Sequence, residues 1–410
     1  MIGIFYAPEP TGIGPYMTGL AEMIGTFADV EVFTGVPHYP TWEVQAGYRW
    51  RFRFRERRGG VDVRRFLHFV PRRQSAIKRA LLESSFVINT VLSRPLRRPD
   101  VVIASTPSLG AAVVAARFAK RYRVPYGLVV QDLVGQGAGQ SGIAGGAAVA
   151  NIVGRVEARA FREAAIVAVV TDSFRQQLAA YGVDESKVRL LPNWSHIASA
   201  TSDRATFRRT MGWDDTTFVV LHTGNMGLKQ DLGNVIEAAR ALSARTDIRI
   251  VLGGDGSQRP TLTKQAKGLS NLEFLDTVPA DDYANLLHAS DLLLVNERSS
   301  VGDMALPSKL TSYFASGRAV LAAVGSDGAC AREIDKTQGA ARVVEPGNPA
   351  ALAQAIEELA LDVEATTAMA AAGARYSQDH LSRAAAERRA HTLVEELLAY
   401  HRDAPSAGSA

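Results

Sequence analysis

With 410 residues, 47% of them hydrophobic and 21% charged, the chain has the balance of a folded globular protein, which excludes fibrous and disordered classes. One core stops growing at roughly 250 to 300 residues, so two domains are expected. Net charge is only +4, from 46 basic and 42 acidic residues, yet residues 49–98 hold fifteen Arg or Lys against three acids, a local +12 that leaves the rest of the chain at −8.

Met1 runs almost directly into the apolar stretch Ile2 to Ala7, read as a buried strand with no charged leader or cleavage site before it, so no signal peptide is expected. A Gly/Pro-rich turn, Pro8 to Pro15, leads into a helix from Tyr16 to Phe27. Short apolar strands follow at Val30 to Thr34, Val101 to Ala104, Gly127 to Val130 and Ile166 to Thr171, with helical patterns between them, and such alternation implies a parallel sheet. Within this half lies the basic block. From Arg49 to Arg55, arginines alternate with Trp50, Phe52 and Phe54, and Ala76 to Leu96 is an amphipathic stretch containing Ile77, Leu81, Leu82, Phe86, Val87, Val91 and Leu92. Such a block marks an anionic partner, either an acidic membrane face or nucleic acid. The competing reading is that the stretch packs inside the domain and the arginines pair with acids elsewhere.

A polar linker, Asn193 to Arg204, precedes a second alternation with strands at Phe218 to His222, Arg249 to Leu252, Leu272 to Leu275, Leu292 to Val295 and Ala319 to Ala323. Its opening strand runs into Gly224-Asn225-Met226-Gly227 much as the first runs into Gly12-Ile13-Gly14. The fold class expected is therefore α/β, two Rossmann-like, doubly wound parallel-sheet domains. The N-terminal domain spans 1–195 and is completed by a C-terminal helix at 384–401, the second domain spans 196–383, and 402–410 reads as a disordered tail. Every apolar stretch is interrupted by Pro, Arg or Lys before it reaches the roughly 18 residues of a spanning helix. The single cysteine, Cys330, excludes an intramolecular disulfide, and no Cys or His cluster has zinc-site spacing, so no metal and a cytoplasmic location are expected.

Ligands of parallel sheets bind beyond the carboxyl ends of the strands, so the loops there carry the candidates. Gly12 and Gly14 let backbone N–H groups approach a phosphate, although their spacing is not the dinucleotide fingerprint. Gly224, Asn225 and Gly227 form a second glycine loop that adds Lys229, a cation suited to a leaving diphosphate. Gly254, Asp255 and Gly256 follow the next strand, and Leu306-Pro307-Ser308-Lys309-Leu310 stands ahead of Ser316-Gly317-Arg318.

Taken together, Tyr6-Ala7-Pro8-Glu9-Pro10-Thr11-Gly12-Ile13-Gly14-Pro15-Tyr16, Pro37-His38-Tyr39-Pro40, Pro192-Asn193-Trp194, the run Gly224 to Gln230 and Pro307-Ser308-Lys309 resemble the family-4 glycosyltransferases, most closely their colanic-acid and exopolysaccharide branch. The resemblance runs in order to about residue 330. It implies a GT-B fold facing a cleft, with a nucleotide sugar on the C-terminal domain, an acceptor on the N-terminal domain, the last helix crossing back, and retaining transfer without a metal. Mapped by motif, Lys229 contacts the donor diphosphate with Asn225 beside it. The Gly12 to Gly14 loop reaches the same phosphates, Gly254 and Gly256 line the donor pocket, and the loop at Val278 faces the nucleobase. Many relatives carry two glutamates where this chain has Met304 and Ser312, which leaves Lys309, Ser308 and Asp303 to take their place. Asp132, in the Gln131-Asp132 pair, stands where many relatives have a histidine near the sugar and is a catalytic candidate for acceptor or sugar contact; the competing reading is a carboxylate capping the next loop.

The expected activity is thus hexosyl transfer from a UDP- or GDP-linked sugar, the substrate rather than a cofactor, to a lipid-linked or saccharide acceptor in polysaccharide or glycolipid biosynthesis. Arg51, Arg53 and Arg55 would hold the enzyme on the inner face of the cell membrane. The alternatives are a nucleotide-sugar epimerase of similar fold, which needs acid/base carboxylates, and a non-catalytic protein that binds nucleic acid or membrane. The order of the motifs favours the transferase and no nucleic-acid partner.

Overall fold

In the computed structural model, which describes residues 1–10, 12–72, 75–133, 146–197, 199–301 and 308–403, the chain divides into two units. One is Met1–Asn193 with Ala386–Ala410, the other Trp194–Ala385.

The first unit contains β1 (Glu31–Gly35), β2 (Arg53–Arg58), β3 (Val61–Phe66), β4 (Val102–Ser105), β5 (Tyr126–Val130), β6 (Ile166–Val169) and β7 (Val188–Leu190). Its ladders run β1–β3–β2 and β4–β5–β6–β7. Ile2 joins them by parallel bridges to Phe33 and Ala104. The expected strand from Ile2 to Ala7 is thereby shortened to an extended segment. Ile2 N donates to Ile103 O (2.8 Å) and Gly35 N to Ile4 O (3.3 Å), but Pro8 and Pro10 offer no N–H to continue a ladder. The Tyr6 N–H turns instead to the Glu9 carboxylate (3.1 Å). Helix α1 (Gly14–Gly25) begins before the expected Tyr16, with Pro15 in its first turn. It lies close on the sheet because Gly3 has no side chain: a Cβ there would stand 2.1 Å from Met17 Sδ.

The antiparallel β2–β3 hairpin is not announced by apolar residues, since β2 alternates arginine with half-buried Phe54 and Glu56. Helix α2 (Ala76–Val91) is capped by Ser75, whose Oγ accepts from Lys78 N (3.3 Å). It buries Leu82 and Phe86 in a core shared with Phe33, Phe66, Phe161 and, from helix α3 (Leu109–Tyr122), Phe118. The terminal helix Arg383–Asp403 places Leu397, fully buried, over Gly127, and its Glu396 pairs with Arg189 at 2.7 Å. Arg402 and Asp403 still belong to this helix, and the remainder of the expected tail lies outside the described residues.

The second unit is one parallel sheet of β8 (Phe218–Thr223), β9 (Ile248–Gly253), β10 (Leu272–Leu275), β11 (Leu292–Asn296), β12 (Ala319–Ala323) and β13 (Ala341–Val344), in the order β10-β9-β8-β11-β12-β13. Alternate residues feed opposite cores. Val220, Ile250, Leu252, Leu292 and Leu294 pack beneath helices Leu232–Ala241 and Pro349–Leu361, while Val219, Leu221, Val251, Leu293 and Val295 pack with Tyr313 and Phe314. Burial on both faces explains the uninterrupted apolar runs. The strand order reverses between β8 and β11, and a ligand of such a sheet binds outside the carboxyl ends at that point.

Candidate functional site

The loop after β8 and the loop after β9 are stacked at this reversal. Gly224 (φ 108°) donates its N–H to Gly253 O at 2.9 Å, and Met226 N donates to Asp255 O at 2.8 Å. At Gly254 (φ 127°) a Cβ would stand 2.1 Å from Gly224 O, and at Gly256 (φ 159°) 2.6 Å from Met226 N. Both positions therefore require glycine, and the requirement is one backbone approaching another. Asp255 Oδ1 accepts from Gly256 N (2.7 Å), and Asn225 Nδ2 reaches Gln230 Oε1 (3.4 Å).

Lys229 sits exposed on the turn Leu228–Gln230. Its carbonyl accepts from Arg298 N (2.8 Å), and Asn296 Nδ2 donates to Gln230 O (2.8 Å). These bonds tie the Lys229 turn to the end of β11, where Glu297 follows. Half-buried, the Glu297 carboxyl is pushed up by burial against the opposing pull of Lys309 and Lys229. Lys309, from the helix Ser308–Ala315, donates from Nζ to His222 Nε2 at 3.3 Å. Burial lowers its ammonium to about 8, while Glu297 holds it up. His222 is fully buried at the end of β8, its Nδ1 facing Leu294 O at 3.1 Å. A carbonyl only accepts, so Nδ1 carries the proton and Nε2 takes the lysine's bond. Burial first, then Lys309, keeps this imidazole neutral.

The structure thus brings Lys229, Asn225, Gly224, Gly254, Asp255, Gly256 and Lys309 to one end of one sheet. Val278, half-buried after β10, packs against the core of Trp213 and Leu286. Asp303, Met304 and the Ser308 side chain lie outside what is described. Ser312 bonds Tyr283. Sequence reading missed Glu297 and His222. The available signal was position, since each stands at the carboxyl end of a predicted strand.

In the first unit, Glu9 gathers two of the sequence motifs. Its buried carboxylate accepts from Tyr6 N, His38 N (2.9 Å) and Tyr39 N (2.9 Å). Gly12 (φ 68°) lies against the Tyr39 ring, and a Cβ on Gly14 would stand 3.1 Å from Glu9 O. His38 and His68 are buried with ring centroids 4.8 Å apart, and burial lowers them to about 4 and about 3. Asp132 is exposed beyond β5, and its Oδ1 accepts from Leu133 N (2.8 Å). Beside it, Gln131 and Asn193 exchange amide bonds of 3.0 and 2.8 Å.

Arg51, Arg53 and Arg55 are exposed, with Trp50, 91% exposed, just before them and Phe52, 78% exposed, between the first two. The expected amphipathic stretch ends as a helix at Val91. Its inner face is Leu82, Phe86 and the partly buried Val87, and its outer face presents Ile77, Leu81, Ile88 and Leu92 at helical spacing.

The Glycosyl transferase 4-like domain family matches residues 11–194, and the Glycosyl transferases group 1 family matches residues 217–362. Over 372 residues, 88% of this chain and 91% of the relative, the sequence is 31% identical to the colanic acid biosynthesis glycosyl transferase WcaI of Escherichia coli (strain K12). The chain belongs to the GT-B glycosyltransferases of family-4 type. This glycosyltransferase is also 26% identical, over 44% of its length and 51% of the relative's, to a GDP-mannose-dependent monoacylated α-(1-6)-phosphatidylinositol monomannoside mannosyltransferase of Corynebacterium glutamicum. Among solved structures it shares its fold with Anabaena HepE in complex with UDP, at a TM-score of 0.68 and 16% identity, over 96% of this chain and 99% of that one. Within the glycosyltransferase, the group 1 match covers both stacked glycine loops, Lys229, Glu297 and Lys309.

Proposed function

We propose that the enzyme moves a sugar from a UDP- or GDP-linked donor, with retention and without a metal ion, to a lipid-linked acceptor at the acidic inner face of a membrane, in polysaccharide or glycolipid biosynthesis. The observation that carries the donor half is the meeting of two glycine loops, two lysines and a half-buried carboxyl at the sheet reversal of the second unit. The positive charge of Lys229 and Lys309 is placed to neutralise a leaving diphosphate, the work a metal ion does elsewhere. Glu297, its carboxyl pushed up by burial, offers a hydrogen-bonding group for a sugar hydroxyl. In the transfer, the bond from the anomeric carbon to the diphosphate breaks, the acceptor oxygen bonds that carbon on the same face, and the acceptor proton passes to the departing phosphate oxygen. No protein base is then required.

The similar proteins support the substrates: HepE was solved with UDP, and the Corynebacterium relative is described as using GDP-mannose and a phosphatidylinositol mannoside. Among the described residues no helix is long and apolar enough to cross a membrane, so a lipid acceptor has to be met from the surface. Exposed Trp50 and Phe52 among arginines, beside the apolar outer face of α2, fit an acidic bilayer, where each basic residue contributes about 1 kcal/mol.

A thermal-shift series with UDP, GDP, ADP and their sugars tests the donor half, because a ligand of the native state raises its apparent stability. One nucleotide should stabilise the enzyme in EDTA, and NMR of the product should show the donor's anomeric configuration. Strict dependence on added magnesium, or an inverted product, overturns the reading.

A further inference from the structure

Between the β2–β3 hairpin and the C-terminal end of α2 lies a cavity of about 300 Å³, lined by Arg53, Phe54, Arg55, Arg64, Arg65, Phe66, Leu92, Ser93 and Arg94. We propose that this arginine-lined cavity is a binding site for the phosphate or diphosphate group of a membrane lipid, a site that rests on the membrane reading above and gives it a specific headgroup contact.

Charge is the first argument. Two of the five arginines are neutralised within the fold: Arg64 Nε lies 2.7 Å from Glu31 Oε1, and Arg65 Nη2 lies 2.6 Å from Glu56 Oε1. Arg65 also donates to the Ala7 carbonyl. The guanidiniums of Arg53, Arg55 and Arg94 make no hydrogen bond or ion pair with any described residue. The C-terminal end of α2 contributes about half a negative charge, which leaves the cavity with a surplus of roughly two to three positive charges.

Strand register adds to this charge. Arg55 stands directly opposite Arg64 in the antiparallel ladder. Directly opposed residues share a face with Cβ atoms roughly 5 Å apart, an arrangement that disfavours like charges. The guanidinium of Arg64 is accordingly lowered by burial and further by Arg55 and Arg53. An anion between the two strands converts that repulsion into shared attraction, and the planar forks of several arginines suit phosphate oxygens.

Size and surroundings complete the case. A water molecule's share of liquid is about 30 Å³, so the cavity has room for a phosphate or diphosphate. Leu92, in its wall, is 70% exposed and ends the outer apolar stripe of α2, while Phe52, 78% exposed, immediately precedes Arg53. A headgroup phosphate in the cavity would therefore have apolar side chains on both flanks for its lipid.

Inorganic pyrophosphate, titrated calorimetrically into the full chain carrying Lys229→Ala, reads the site with the donor-side lysine removed. Arg55 and Arg94 are exposed, so Arg55→Gln with Arg94→Gln leaves the fold intact; in that background the double change should weaken pyrophosphate binding at least tenfold. Vesicles of phosphatidylcholine containing phosphatidic acid should be preferred several-fold over vesicles of equal surface charge containing phosphatidylserine, and the double variant should lose the preference while still binding both. Trp50→Ser with Phe52→Ser should do the reverse, losing vesicles and keeping pyrophosphate. Unchanged pyrophosphate affinity in the double variant, or no lipid preference in the parent, overturns the site. If the parent binds no vesicle at all while the double change still weakens pyrophosphate binding, the membrane reading falls, and with it the lipid as the occupant of the cavity.

Discussion

Replacing Lys309 with Met should stabilise the protein, or leave it unchanged, while it disables transfer. The ammonium is lowered from 10.5 to about 8, burial outweighing the pull of Glu297. At 1.36 kcal/mol per unit, holding this lysine charged in the fold costs about 3 kcal/mol. Met fills similar space without charge, but His222 Nε2 loses its donor, at a cost of about 1 to 3 kcal/mol. The expected net change at pH 7 is a gain of between about 0 and 2 kcal/mol. The sign follows from linkage: below pH 8 both states hold the proton and the whole cost is present. Between pH 8 and 10.5 the unfolded chain still binds a proton that the folded one has released, so wild-type stability from this group rises with pH. Above 10.5 the cost is gone. Urea unfolding of both proteins at several pH values from 7 to 10 should therefore show the advantage of the variant shrinking as pH rises. A loss of more than about 2 kcal/mol at pH 7, or a difference that does not change with pH, refutes the reasoning. Such a result would make Lys309 part of the scaffold.

Lys229→Ala, on an exposed turn, should leave stability unchanged and weaken nucleoside diphosphate binding by a few kcal/mol in calorimetry; unaltered affinity removes Lys229 from the donor site. Gly254→Ala forces a Cβ to within 2.1 Å of Gly224 O at a φ of 127° and should cost about 2 to 4 kcal/mol of unfolding free energy, together with the nucleotide-induced thermal shift. The buried imidazoles of His38 and His68, lowered by burial to about 4 and about 3, bind protons less readily than the unfolded chain, so their contribution to stability is lost as pH falls below about 6.5. Proton NMR should show neither ring titrating above pH 5. Arg51, Arg53 and Arg55 changed together to Glu should release the enzyme from acidic vesicles, and the parent's binding should weaken in high salt.

What the sequence made legible follows from where burial is complete. Leu292 to Val295 lies at 0–1% exposure with cores on both faces, and such a strand has to be written in apolar residues. The glycines at 224, 254 and 256 are legible for a related reason, because each occupies a left-handed backbone or a close approach that other residues resist. The β2–β3 hairpin was hidden because its interior is ionic. Arg64 and Arg65 are buried, but each is matched by a glutamate distant in sequence or across the turn, and one sequence does not show which acid meets which arginine. Glu297 was hidden more thoroughly, since it sits in no motif. Its carboxyl gains meaning only when the parallel register of β8 and β11 puts the Lys229 turn beside it and the helix from Ser308 returns Lys309 to the same end of the sheet.

The basic block shows how a charge count divides once contacts are known. Of its three acids, Glu56 meets Arg65, Glu83 meets Arg79 and Asp62 is exposed, while Glu31 and Asp29, from outside the block, take up Arg64 and Arg97. The idea that these arginines pair elsewhere is therefore right for the ones that face inward. Arg51, Arg53, Arg55 and Arg94 gain nothing from it. They stand exposed beside Trp50, Phe52 and Leu92, large apolar side chains that water disfavours. A surface with unpaired cations alone would be ordinary, and scattered apolar side chains alone need no explanation. Exposed cations around exposed aromatics, beside a cation-lined cavity, are the features that the proposed docking on an acidic membrane would use, since such an interface is anionic at its surface and apolar just beneath it.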